Sequence, residues 1–182
     1  MTQAGRPSFL SPDIELISLL TDLSDEYVVA LTLYGEGRRD PHSSRTPTTG
    51  STGLRAIAWV LYHRVHDAHG RWSRSYKVAC LQRGPTELAC WYHEGSRIDG
   101  LLSLARWTLG GAPPVDNEKT WHARMGRYEQ CRRFALAAMT VRDTRDDLVR
   151  GANCYHRHGT KPSYLLSREP VATVDGRLFY RL

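Results

Sequence analysis

One segment, residues 52–68 (TGLRAIAWVLYHRVHDA), constrains the fold more than any other part of the chain. Its apolar side chains recur at the three- and four-residue spacing of a helix that is buried along one side. They are Leu54, Ile57, Ala58, Leu61 and Val65. Such a helix needs other elements packed against its apolar face, so we expect a globular core with this helix at its centre.

Further helices are predicted on both sides of this segment. Residues 11–25 begin with a capping serine, a proline at the first helical position and acids in the first turn, which together mark a helix start. Helical periodicity also marks residues 26–36, 97–109 and 118–141, and residues 73–81 are a candidate short helix.

The C-terminal part of the chain changes character and predicts strands. Residues 153–157 indicate one strand, and residues 171–181 indicate a hairpin around the turn dipeptide Asp175-Gly176. Residues 87–92 are short and partly apolar and favour an extended segment. We therefore expect a helix-dominated α+β domain with a small antiparallel sheet. One domain suits 182 residues, with residues 26–182 as the domain and residues 1–25 as a helical extension.

The net charge of the chain limits the classes of molecule that we expect it to bind. Lys and Arg number 25 against 19 Asp and Glu, a net charge of +6, which favours an anionic partner such as nucleic acid, a membrane surface or a cell-wall polymer. Hydrophobic residues make up 41% and charged residues 24%, which excludes a disordered or collagen-like chain. The sequence shows neither an apolar stretch typical of a secretory signal nor one typical of a membrane helix, so we expect synthesis and folding in the cytoplasm.

The four cysteines are Cys80, Cys90, Cys131 and Cys154. They form no Cys-x-x-Cys pair, so neither a zinc knuckle nor a redox motif is predicted. In a reducing compartment they would be small buried side chains. In an exported protein, Cys90 and Cys154 would be the expected disulfide.

The hexapeptide LYGEGR places Glu36 at the end of an apolar helix and between two glycines. The negative end of the helix dipole and burial beside Tyr34 both disfavour ionisation of this glutamate, which would make it a proton donor. The glycines leave room for a bulky ligand, whereas the two arginines that follow would favour the ionised form if they point inward. A solvated glutamate at a glycine-capped helix end is the alternative interpretation.

Five short blocks follow one another along the chain: YGEGR (34–38), GLRAIAWVLYHRV (53–65), ACW (89–91), GANCY (151–155) and GRLFYR (176–181). In this order they resemble the SleB-type cell-wall hydrolases, which are the spore cortex-lytic enzymes and their bacterial and phage relatives. The resemblance extends from about residue 30 to the C-terminus.

The resemblance implies a lysozyme-like domain that cleaves the glycan strands of peptidoglycan, generally as a lytic transglycosylase, without a metal or other cofactor. Glu36 stands at the position of the catalytic acid. It would protonate the glycosidic oxygen between N-acetylmuramic acid and N-acetylglucosamine. As a carboxylate it would then take the proton of the C6 hydroxyl of the same muramic acid, which closes the 1,6-anhydro product.

A cleft for glycan needs aromatic side chains that stack on sugar rings. The aromatic residues near the matched blocks are Tyr34, Trp91, Tyr92, Tyr155 and Tyr164. Each of them could equally belong to the core.

The chain also departs from the family pattern. The connection over residues 40–51 is longer than the family's usual link, and ELACW stands where relatives often have QFSCW. Asn153-Cys154-Tyr155 replaces a family Thr-His-Tyr, so no role of that histidine can be transferred. Tyr164 stands where relatives often have tryptophan.

A hydrolytic muramidase is the first competing interpretation, and it needs a second carboxylate beside Glu36. The candidates are Asp40, Glu87 and Glu94. Glu87 is the most interesting of them because it replaces a family glutamine, although an exposed residue on an extended segment explains it equally simply.

A zinc amidase and a nucleic-acid-binding module also stay open as interpretations. The amidase would use histidines such as His63, His66 and His69, which recur every three residues, but the chain lacks a His-Glu-x-x-His motif. The nucleic-acid-binding module would use the arginines between residues 124 and 150, but acidic residues interrupt them and no helix-turn-helix or RNA-binding signature accompanies them. We therefore expect no specific nucleic-acid partner.

The resemblance also bears on where such a protein acts. A wall-degrading enzyme without a signal sequence suggests a phage or prophage endolysin that waits in the cytoplasm for a membrane pore, or a particle-associated enzyme used at entry. We expect a monomer that acts on the cell wall once it is released.

Overall fold

The computed structural model describes residues 14–37, 50–82, 88–91, 96–111, 118–141, 143–157 and 162–182. The helices within these ranges are α1 (Ile14–Asp22), α2 (Asp25–Gly37), α3 (Ser51–Val65), α4 (Tyr76–Leu81), α5 (Ser96–Thr108) and α6 (Glu118–Met139). The strands are β1 (Cys154–Arg157), β2 (Ala172–Val174) and β3 (Arg177–Tyr180). Two short 3-10 helices cover Ala89–Trp91 and Ser163–Leu165.

Helix α2 lies at the centre of the helical part. Nine of its 13 residues are buried, because α3, α4, α5, α6 and the Ala89–Trp91 helix all pack against it. A helix that is apolar on every side needs such an enclosure. Helix α3, predicted to be the central helix, has ten of its 15 residues buried, including all of residues 56–61, and it packs against α2, α4, α6 and β2.

The sheet has the order β1-β3-β2, with both pairs antiparallel. Tyr155 of β1 lies opposite Phe179 of β3, and Thr173 of β2 lies opposite Leu178. The turn between β2 and β3 is Asp175-Gly176, and both residues have positive φ angles, as the favoured two-residue hairpin turn requires. Phe179 packs with buried residues of α3, which joins the sheet to the helices.

The predicted fold class is confirmed at the level of its elements: the domain is α+β, helix-dominated, with a small three-stranded antiparallel sheet. The predicted helices and the C-terminal hairpin occur with ends shifted by a few residues. The expected extended segment at residues 87–92 was wrong, because Ala89–Trp91 forms a 3-10 turn. The indole N–H of Trp91 donates to Oγ1 of Thr32 at 3.0 Å and fixes that turn against α2.

All four cysteines are buried free thiols, so the conditional Cys90–Cys154 disulfide is not formed. Burial raises the pKa of Cys80 and of Cys131 to about 12, so these thiols stay protonated. Among the described helices, none has both the length and the apolar character needed to cross a membrane.

Candidate active site

Glu36 lies in the last turn of α2, partly exposed between two buried glycines. A Cβ atom on Gly35 would lie 2.6 Å from Cβ of Cys90, and one on Gly37 would lie 2.7 Å from Cδ2 of Leu54. These distances are shorter than van der Waals contact, so a side chain at either position would force its neighbour to shift. The glycines were expected to leave room for a ligand, but neighbouring side chains fill that space.

Two directed hydrogen bonds hold the carboxylate of Glu36. Its Oε1 accepts from the backbone N–H of Cys90 at 2.8 Å, and its Oε2 accepts from the hydroxyl of Tyr155 at 2.8 Å. The donors come from the 3-10 helix and from β1, on separate parts of the chain. Because each oxygen has its own partner, the orientation of the carboxylate is fixed.

Two arginines satisfy backbone carbonyls at the end of α2. Nη2 of Arg177 donates to the carbonyl oxygen of Glu36 at 3.2 Å, and Nη2 of Arg127 donates to that of Gly37 at 3.2 Å. The last carbonyls of a helix lack partners within it, and they form its negative end. The two guanidinium groups therefore stabilise the helix end that carries the glutamate.

The β2–β3 hairpin also holds the start of α3. Oδ2 of Asp175 accepts from the backbone N–H of Gly50, the N-cap residue of α3, at 2.7 Å. Arg177, two residues further along the same hairpin, holds the carbonyl of Glu36. One turn thus anchors the backbone at both sides of residues 38–49.

Tyr155 is the predicted aromatic residue that lies at the glutamate. Its ring packs on Phe179 with the centroids 5.5 Å apart, and the guanidinium of Arg177 lies 5.9 Å from the ring centroid. Burial, reinforced by the negative charge of Glu36, raises the pKa of Tyr155 well above its ordinary value. Its hydroxyl therefore keeps its proton and remains a donor to the glutamate.

The 3-10 helix is tied to α2 by three polar contacts. Besides the N–H of Cys90 on Glu36, Sγ of Cys90 donates to the carbonyl of Thr32 at 3.7 Å, and Trp91 donates to the hydroxyl of the same threonine. Burial raises the pKa of the Cys90 thiol well above its ordinary value. The thiol of Cys90 therefore stays protonated, and its backbone amide donates to the glutamate.

Buried Arg64 supports the site from α3, a role that was not predicted from the sequence. It is 1% exposed, its Nε donates to the carbonyl of Asn153 at 2.8 Å, and its guanidinium lies 4.4 Å from the ring centroid of Trp72. Asn153 precedes Tyr155 by two residues, so this contact fixes the start of the strand that carries the tyrosine. The sequence feature that could have indicated burial of Arg64 is its position on the apolar face of α3, three residues after Leu61.

The predicted aromatic residues separate into different environments. Tyr34 and Trp91 are only 6% and 2% exposed, so they belong to the core and offer no ring face to a ligand. The ring of Tyr34 packs edge-on against Tyr128. Tyr164 packs in a separate cluster around Cys154, where burial raises the pKa of Tyr164 to about 12. Of these aromatics, Tyr155 contacts the glutamate.

Several predicted residues lie outside the described part of the chain. They are Tyr92 among the aromatics and all three candidate second carboxylates, Asp40, Glu87 and Glu94. Those predictions stay predictions.

The histidines considered as zinc ligands of an amidase contact different residues. Nε2 of His63 lies 2.9 Å from Oδ2 of Asp147, whereas the exposed ring of His66 stacks on Tyr62 with the centroids 4.2 Å apart. The residues that the structure describes contain no group of three His, Cys, Asp or Glu side chains arranged to hold a metal ion.

Several arginines that motivated the nucleic-acid interpretation are engaged within the protein. Arg132 of α6 pairs with Glu26 of α2 at 2.9 Å and with Glu129 at 3.1 Å. Arg145 pairs with Asp143 at 2.5 Å. These contacts neutralise part of the basic surface, and the pair of Arg132 with Glu26 helps to hold α6 on α2.

Comparisons of the chain with family models, with curated proteins and with solved structures gave no match. The site consists of one oriented, partly exposed carboxylate at a helix end, with an amide and a phenol as donors. Such a group can give a proton to a bound ligand and take one back.

Proposed function

We propose that the protein is a peptidoglycan-cleaving glycosidase of the SleB type, acting as a lytic transglycosylase with Glu36 as its catalytic acid. The observation that carries this proposal is the convergence of all five sequence blocks on Glu36 and the adjacent Gly37. The first block supplies Glu36 itself, and residues of the other four contact either it or the adjacent Gly37.

The contacts come from one residue of each block. Leu54 of the second block packs against Gly37, and Cys90 of the third donates its N–H to the carboxylate. Tyr155 of the fourth donates its hydroxyl, and Arg177 of the fifth binds the backbone carbonyl. Blocks that lie far apart in the sequence but surround one carboxylate are typical of a catalytic site.

The proposed mechanism needs one carboxylate. Protonated Glu36 gives its proton to the glycosidic oxygen, the bond from that oxygen to the muramic acid anomeric carbon breaks, and N-acetylglucosamine leaves. The resulting carboxylate takes the proton of the C6 hydroxyl, whose oxygen bonds to the anomeric carbon. The hydrogen bonds from Cys90 and Tyr155 are both donated to the carboxylate, which is the form present between these two steps.

The helix-dominated α+β architecture is compatible with the lysozyme-like domain that we propose. The substrate lies outside the cell membrane, so an enzyme of this kind has to be released to the wall or delivered to it. We propose an endolysin of phage or prophage origin, in line with the phage members of the family that the sequence resembles.

The direct test compares Glu36→Gln with the wild type in a zymogram and in a turbidity assay on purified peptidoglycan. Glutamine keeps the shape and removes the titrating proton, so we expect activity to fall at least about 100-fold. Glu169→Gln changes an exposed glutamate in the same way and should keep full activity. An inactive wild type, or a fully active Glu36→Gln, would refute the proposal.

Product analysis separates the transglycosylase route from hydrolysis and from amide cleavage. Mass spectrometry should show muropeptides lighter by one water, as the anhydro product requires. Only reducing-end sugars would instead indicate hydrolysis with a second carboxylate. Free stem peptides, together with loss of activity in excess chelator, would indicate a zinc amidase.

A further inference from the structure

A basic groove is lined by residues of α6, and we call it the α6 groove. It encloses about 520 Å³ and is lined by Gly126, Arg127, Glu129, Gln130 and Arg133. A Cβ atom on Gly126 would meet no other atom within 4 Å, so this glycine leaves the groove open. Arg133 is exposed, which makes its guanidinium accessible to a ligand.

The α6 groove adjoins the end of α2 that carries the glutamate. Arg127 lines the groove and also donates to the carbonyl of Gly37, the residue after Glu36. Consecutive Cα atoms are about 3.8 Å apart. A ligand in the groove would therefore lie beside the chain segment that holds the catalytic carboxylate.

The charges of the groove favour an anion. Its two arginines outnumber its one acid, Glu129, whose carboxylate is already paired with Arg132 at 3.1 Å. The amide of Gln130 adds a neutral donor. Guanidinium groups present paired N–H donors that match the two oxygens of a carboxylate.

We propose that the α6 groove binds carboxylates of the stem peptide attached to the muramic acid next to the bond that Glu36 cleaves. This inference rests on the proposed function, because it assumes peptidoglycan as the substrate. Muramic acid carries the stem peptide, whose free carboxylates are the anionic groups closest to that bond. The protein would then recognise the stem peptide as well as the glycan.

The test uses Arg133→Gln and two substrates, intact peptidoglycan and glycan strands stripped of stem peptides by an amidase. We expect the variant to raise KM for intact peptidoglycan roughly threefold to tenfold, with kcat unchanged, because an exposed ion pair contributes modestly. KM for stripped glycan should stay the same. Arg74→Gln removes one exposed positive charge elsewhere and should leave both values unchanged.

Binding provides a readout that does not depend on catalysis. Cosedimentation of Glu36→Gln with intact and with stripped peptidoglycan measures affinity for the insoluble polymer. We expect tighter binding to the intact polymer, weaker binding at high salt, and loss of the difference when Arg133→Gln is added. This result would support binding of stem-peptide carboxylates in the α6 groove even if an inactive wild type refuted the proposed cleavage.

Three outcomes would overturn the inference. One is an equal effect of Arg133→Gln on both substrates, and another is an equal effect of Arg74→Gln. The third is weakened binding to DNA without any change in binding to peptidoglycan, which would identify the α6 groove as a nucleic-acid surface.

Discussion

The hydroxyl of Tyr155 donates to Oε2 of Glu36 at 2.8 Å, although the two residues lie 119 positions apart in the sequence. This contact joins the sheet to the central helix at the one carboxylate that the proposed chemistry needs. Arg64 fixes the strand of the tyrosine, and Arg177 fixes the backbone of the glutamate. The relative position of the two groups is therefore set by buried contacts on both sides.

Replacing Tyr155 with phenylalanine tests this contact. A hydrogen bond to a charged group contributes about 1.5–3 kcal/mol, so we expect kcat/KM on peptidoglycan to fall about 10- to 100-fold. The ring and its packing on Phe179 remain, so the variant should still fold, with the free energy of unfolding lowered by no more than the hydrogen bond contributes. Tyr164→Phe, in a separate cluster, serves as the control, and equal activities of the two variants would contradict the assigned role.

Alanine substitutions at two helical glycines, Gly35 and Gly126, test how tightly the site is packed. The Cβ of Gly35→Ala would collide with Cys90, so we expect a loss of about 1–3 kcal/mol in the free energy of unfolding and a displaced N–H donor. Gly126→Ala, on α6, adds its methyl group to open space and should stabilise the helix by up to about 1 kcal/mol. Urea unfolding of both variants measures the contrast, and destabilisation of equal size would argue against the close approach.

A substitution of Asp175 tests whether its hydrogen bond to the backbone at the start of α3 stabilises the fold. Asp175→Asn removes a negative charge that binds the N-cap amide of that helix, and asparagine tolerates the positive φ angle of the turn. We expect the free energy of unfolding to fall by about 0.5–1 kcal/mol. The same change at exposed Asp146 should have an effect below about 0.5 kcal/mol in the same assay. Indistinguishable values would show that the contact does not stabilise the fold.

Because of His63, we expect the free energy of unfolding to depend on pH. Burial lowers the pKa of His63 from its ordinary value of 6.5, and this effect outweighs the opposing effect of Asp147. The unfolded chain then binds a proton more readily than the folded protein, so stability falls as the pH drops below about 6.5.

Urea unfolding at about pH 7.5 and about pH 5 checks this sign. The wild type should lose more stability between the two conditions than His63→Gln does, because glutamine does not titrate. His69→Gln, at an exposed histidine, should behave like the wild type. A wild type that gains stability on acidification relative to His63→Gln would reverse the assignment.

Elements that depend on local patterns could be predicted from the sequence. The periodicity of residues 52–68 predicted α3, and the dipeptide Asp175-Gly176 predicted the hairpin, because helix faces and two-residue turns are encoded by neighbouring residues. The turn at Ala89–Trp91 could not be predicted in this way. Its conformation depends on hydrogen bonds to Thr32 and Glu36, which lie on another helix.

The candidate site was predictable in part. The hexapeptide around Glu36 indicated the carboxylate, and Tyr155 was among the aromatics expected near it. Arg64 and Arg177 were missed, because a sequence shows that a residue is charged but not that it is buried. Trp91 was a candidate both for the ligand site and for the core, because aromatic side chains serve both purposes, and the structure places it in the core.

The β2–β3 hairpin binds the backbone at Gly50 through Asp175 and at Glu36 through Arg177, so it fixes both ends of the connection between them. The entropy cost of closing a connection between two fixed ends grows only slowly with its length. Segments of other length could therefore be inserted between residues 37 and 50 while both backbone anchors are kept. Natural selection would have the same freedom to diversify this stretch of the chain.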